Sequence, residues 1–142
     1  MTGYLLDTNV VSELRKGSRG NPEVRAWLEI QRAAQLWLSV LVVGELRRGV
    51  HLIGRRDAAS AAVLAQWLDG IIEDFSDRIL PVTATIAQQW AAMSVPDPIP
   101  VVDGLMAATA AVHDLTVVTR NVADIGRTGV RWVDPFTGTT SD

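Results

Sequence analysis

Four carboxylates, Asp7, Glu45, Asp103 and Asp124, stand where an alternating strand–helix chain gathers its chemistry, and only folding can unite residues so far apart in sequence. Asp7 follows the apolar run Tyr4, Leu5, Leu6. Glu45 lies within the apolar segment from Val40 to Leu46, and Asp103 stands between Val101, Val102 and Leu105, Met106. An unpaired carboxylate in such surroundings is expensive. The nearest cations to Glu45, Arg47 and Arg48, are two and three residues on, at helical positions that mostly face elsewhere. Three acids without local partners suggest a shared divalent ion, and an all-oxygen donor set favours Mg²⁺ or Mn²⁺ over zinc. Each acid also has a plainer use: Asp7 and Asp103 can cap helices, and Glu45 can pair with a distant Arg. Asp124 reads as a loop acid beyond Thr119, with Asn121 its rival for a place at the site.

Composition removes the other common chemistries. The 142 residues contain no cysteine and two histidines, His51 and His113. Thiolate metal sites, cysteine nucleophiles and Ser-His-Asp triads therefore have little to work with. The net charge is −3, from 13 basic and 16 acidic residues. Nucleic acid can thus be held only by a local basic patch, not by bulk charge. Arg15, Lys16, Arg19, Arg47, Arg48 and Arg120 are the candidates, and Lys16 is the sole lysine. With 48% hydrophobic residues the chain has ample material for one core. No apolar run reaches a bilayer-spanning length, and Asp7 comes too early for a signal peptide, so a cytoplasmic protein is expected.

The elements that must position these acids alternate short β-rich runs with helical patterns, which implies βαβ units around a parallel sheet. Strands are expected at Tyr4 to Leu6, Leu36 to Leu38, Arg78 to Val82, Leu115 to Thr119 and Val130 to Val133. Helices are expected from Val10 to Lys16 with Asn9 as cap, from Pro22 behind Asn21, and from Val40 to Arg48 behind Ser39 and ending at Gly49. Others run from Asp57 to Phe75, from Thr83 to about Met93, and from Asp103 to His113. In such folds ligands bind beyond the carboxyl ends of the strands. The tryptophans Trp27, Trp37, Trp67, Trp90 and Trp132 are assigned to core packing, with a surplus apolar face near Trp67 marking an interface.

The opening YLLDTNVVSEL, the internal SVLVVGELRRGV, the DGLMAATA helix and the closing VVTRNVADIG together resemble the PIN-domain ribonucleases, specifically the VapC-type toxins of bacterial toxin–antitoxin pairs. The resemblance spans about Tyr4 to Pro135. It implies a single PIN-like domain over residues 1–136, with a short, mainly parallel central sheet flanked by helices on both faces; the tail at 137–142 lacks apolar residues to hold it down and is expected to be disordered. It also implies a site-selective, Mg²⁺- or Mn²⁺-dependent endoribonuclease in which Asp7, Glu45, Asp103 and Asp124 hold metal and perform the chemistry. Thr8, Asn9, Thr119, Arg120 and Asn121 would orient those acids or contact phosphate. Implied partners are RNA, a VapB-like antitoxin whose C-terminal segment enters a groove, and a second copy of the chain; no membrane is involved. The alternative is a catalytically silent PIN-like module that only binds RNA or protein. An aspartyl-phosphate enzyme fits poorly, because Asn9 stands where a second Asp is usual and no lysine follows Lys16.

Overall fold

The chain opens with strand β1 (Gly3–Leu6), and every later element is arranged around it in a computed structural model that describes residues 3–141. Helices α1 (Thr8–Arg15) and α2 (Pro22–Glu29) precede β2 (Leu36–Ser39), which runs straight into α3 (Val40–Gly54). Then come α4 (Ala58–Asp74), β3 (Ile79–Leu80), α5 (Ala84–Met93), α6 (Val101–His113), β4 (Leu115–Val118), α7 (Val122–Gly126), β5 (Trp132–Asp134) and β6 (Thr139–Thr140). The strand order is β3-β2-β1-β4-β5-β6, parallel throughout except for the antiparallel β5–β6 edge pair. From β1 the sheet grows outward in both directions, so the switch point where α/β folds form ligand crevices lies between β1 and β4.

All four residues of β4 are buried, which requires helical cover on both faces of the sheet. Leu5 and Leu6 of β1, Val117 and Val118 of β4, Val10 and Val11 of α1, Val42 of α3 and Met106 of α6 share the core. Local signals agree with this packing. Asn21, Ser39 and Thr83 cap α2, α3 and α5 as their residue types predict, each accepting from amides of the following turn. Helix α3 departs from expectation by continuing through Gly49 to Gly54. Buried Val50 lies in a second core cluster with Ala61 and Leu68 of α4, and that burial outweighs the roughly 1 kcal/mol a helical glycine costs. Strand β3 is correspondingly shorter than the run Arg78 to Val82 suggested.

The tail also differs from expectation. Thr139–Thr140 pairs with Val133 and Asp134, so backbone hydrogen bonding holds a segment that has no apolar anchor. Trp27, Trp37, Trp67 and Trp132 pack against the main core, while the indole of Trp90 lies against α6 at Gly104. A Cβ at Gly104 would stand 2.7 Å from Trp90 Cδ1. Gly104→Ala is therefore expected to destabilise the fold by about 1–3 kcal/mol through overpacking. Urea denaturation should show this as a lower midpoint at unchanged slope. Among the described residues no helix is long and apolar enough to cross a membrane.

Candidate active site

Asp7 is the first residue beyond β1, with extended backbone, and its Oδ1 accepts from the Thr8 amide, so it is both the N-cap of α1 and a member of the site. The sequence alone leaves both Asp7 and Asn9 open as that cap. Asn9 lies within α1, because the helix begins at Thr8, directly after the Asp7 cap. Its Nδ2 donates to Asp7 Oδ2 at 3.3 Å, and its Oδ1 accepts from the Arg120 amide at 3.2 Å. Thr119, wholly buried just past β4, donates its hydroxyl to Asp7 Oδ2 at 2.7 Å. The Asn121 amide in turn donates to the Thr119 hydroxyl at 2.9 Å.

Glu45 is exposed, not buried as its apolar neighbours implied. Val42, Leu46 and Val50 form the inward stripe of α3, and Glu45 stands about 100° round the helix from Leu46. Its Oε1 accepts from the Thr8 hydroxyl at 2.6 Å. Asp103 does not cap α6, for Pro100 occupies that position without a side-chain bond and Asp103 falls in the first turn. Asp124 lies in the first turn of α7, where a loop was expected. A single amide joins these two acids: Asn121 Nδ2 lies 2.9 Å from Asp103 Oδ2 and 3.3 Å from Asp124 Oδ2. Asn121 and Asp124 are thus hydrogen-bonded neighbours.

Electrostatics register the clustering at one position. The Asp103 carboxyl is pushed above the usual carboxylate range, first by burial and then by the charges of Asp7, Asp124 and Glu45, against the stabilising Asn121 bond. Among the described residues, no three His, Asp or Glu side chains form a ready-made metal cage. The acids are instead tethered separately, to Thr119, Thr8 and Asn121. Hard oxygen donors of this kind fit a divalent ion such as Mg²⁺, which is commonly held by one or two carboxylates and keeps several waters.

The basic candidates divide in two. Lys16 is bound to the buried carboxylate of Glu13, and Arg47 donates to Asp69 at 2.6 Å. Glu13 carried no functional signal in the sequence. It also accepts from the Asn21 amide at 2.8 Å, and these two bonds, that from Lys16 foremost, hold its carboxyl below the usual range. It therefore steadies the turn between α1 and α2 above about pH 4.5 and loses that contribution on acidification. Arg15, with no ion pair among the described residues, lines a cleft that runs from Thr8 and Glu45 to Leu64 and Trp67. Arg120 is exposed on the strand of chain between Thr119 and Asn121.

The match to the PIN domain family covers residues 4–128. Toxin FitB of Neisseria gonorrhoeae is 36% identical over 138 residues, covering 93% of this chain and 97% of that protein. A VapC ribonuclease of Sinorhizobium fredii, Y4jK, is 31% identical over 140 residues, covering 93% and 96%. The crystal structure of FitAcB from Neisseria gonorrhoeae superposes with a TM-score of 0.85 at 34% identity, covering 94% of this chain and 98% of that one. With the acids gathered at the β1–β4 switch point and this agreement over nearly the whole length, the chain belongs to the PIN domain family.

Proposed function

We propose that this chain is the toxin of a toxin–antitoxin pair, an endoribonuclease that cuts RNA at selected sites with the help of a divalent metal ion. The single observation that carries this reading is the hydrogen-bond chain that links Asp7 through Thr119 and Asn121 to Asp103 and Asp124, with Glu45 tied in through Thr8. The relatives named as toxin and ribonuclease, and the structural neighbours solved as toxin–antitoxin complexes, point the same way. Asp7, Glu45, Asp103 and Asp124 are assigned as ligands of Mg²⁺ or Mn²⁺. When bound, such an ion lowers the pKa of water and stabilises charge on the phosphoryl oxygens.

The chain's own residues do the rest. Thr119 and Asn9 fix the Asp7 carboxylate, Thr8 fixes Glu45, and Asn121 fixes Asp103 and Asp124 together. Fixed acceptors avoid reorganisation when charge develops during cleavage. Asp103, its carboxyl raised by burial and by the neighbouring charges, is suited to accept a proton from the attacking water. The partners are RNA, an antitoxin protein and a second copy of the chain.

The test is sequencing of new RNA 5′ ends after brief expression of the chain beside an Asp103→Asn variant of equal abundance. Discrete ends are expected with the parent and not with the variant. Identical profiles would replace this reading with a binding module that does not cut.

A further inference from the structure

Arg120 is anchored at its backbone between two site residues, Thr119 and Asn121, and its amide donates to Asn9 Oδ1. Its guanidinium makes no ion pair among the described residues, although its charge helps to lower the Glu13 carboxyl. It lies over the Phe136 ring instead, 4.5 Å from the centroid, well inside cation–π range. Phe136 is itself held firmly. Its ring packs against the main core, and its amide donates to the buried carboxylate of Asp134 at 2.9 Å. The chain then turns through Gly138, at φ 78°, into β6. A guanidinium lying over an aromatic ring keeps its N–H edge free, in the planar fork that matches a phosphate.

We infer that Arg120, laid on Phe136, is a phosphate-binding shelf at the rim of the acidic site, with Phe136 as its positioning residue. The inference rests on the ribonuclease reading and adds a contact to the RNA backbone away from the bond being cut. A backbone contact of this kind adds affinity without reading sequence.

The test measures binding of a fluorescent single-stranded RNA oligonucleotide to the full-length chain in an Asp103→Asn background, with Mg²⁺, across a salt series. Arg120→Gln should weaken binding about tenfold and lower the salt slope by about one. Phe136→Leu should weaken it about three- to fivefold, Phe136→Trp should restore it, and Phe136→Leu combined with Arg120→Gln should bind no worse than Arg120→Gln alone. Calorimetric Mn²⁺ affinity, measured with Asp103 intact, should be the same for Phe136→Leu as for the parent, because no acid is touched. Arg120→Lys, an exposed change that leaves Phe136 and the fold intact, should bind several-fold more weakly.

Parent-like RNA binding by Phe136→Leu or by Arg120→Lys would overturn the shelf, as would losses that add in the double variant. If the parent still cuts RNA in that case, the ribonuclease reading stands alone. A parent that neither binds nor cuts RNA overturns both.

Discussion

Asp103→Asn is expected to cut RNA on the order of 10³-fold more slowly than the parent, and yet to melt at a higher temperature in metal-free buffer near pH 7.5. The rate falls because one of the four clustered carboxylates, the one with a raised carboxyl, is gone. The melting temperature rises because the native Asp103 carboxyl binds its proton more tightly than the unfolded one. Between the ordinary value of 3.8 and the raised native value, the folded state holds more proton, so stability declines as pH climbs through that window. Above the window the full cost of the charge is present, and the amide side chain removes it. The advantage of the variant should fade as pH drops below 3.8, and added Mn²⁺ should stabilise the parent more than the variant. Thermal melts across pH, with and without metal, check both signs. A variant that melts lower than the parent at neutral pH would show that the other acids do not press on Asp103.

Asn121 separates two effects that are usually confounded. Asn121→Ala removes the amide that lies 2.9 Å from Asp103 Oδ2 and 3.3 Å from Asp124 Oδ2, and cleavage should drop about 10–100-fold, the range seen when a ligand's orienting partner is lost. Asn121→Asp is close in size but replaces the donor with a further negative charge. It should melt below the parent without metal and recover with Mn²⁺, whereas the activity lost in Asn121→Ala should not return at any metal concentration. Melting curves and initial rates over one Mn²⁺ titration distinguish the two. Equal behaviour of both variants would mean that Asn121 fills space and does not set the acids' directions.

Much of this arrangement was legible in the residues. Asn21, Ser39 and Thr83 announced their helices because a capping side chain acts on amides two or three residues away, which sequence displays directly. Asp7, Glu45 and Asp103 stood out because acids among apolar neighbours lack a structural excuse. What could not be read was decided at long range. Glu45 is exposed because the bearing of α3 on the core, and not its own neighbours, sets which side of the helix faces water. The short α7 under Asp124 and the edge strand at Thr139–Thr140 depend on what lies beside them, so polar composition suggested loop and tail. Glu13 and Phe136 were passed over for the same reason: each works through a partner, Lys16 or Arg120, whose position only the fold supplies.

The bond from Thr119 to Asp7 closes a loop of 112 residues, and β1 takes β4 as its neighbour on one side only after nearly the whole chain is available. During synthesis Asp7 leaves the ribosome more than a hundred residues before its orienting hydroxyl on Thr119, the amide of Asn121 and the charge of Arg120, since Thr119 alone lies 112 positions on. A growing chain therefore carries no assembled acidic site until β4 and the residues after it have emerged. The long-range pairing at the middle of the sheet works as a timer, which holds the site apart until β4 joins β1.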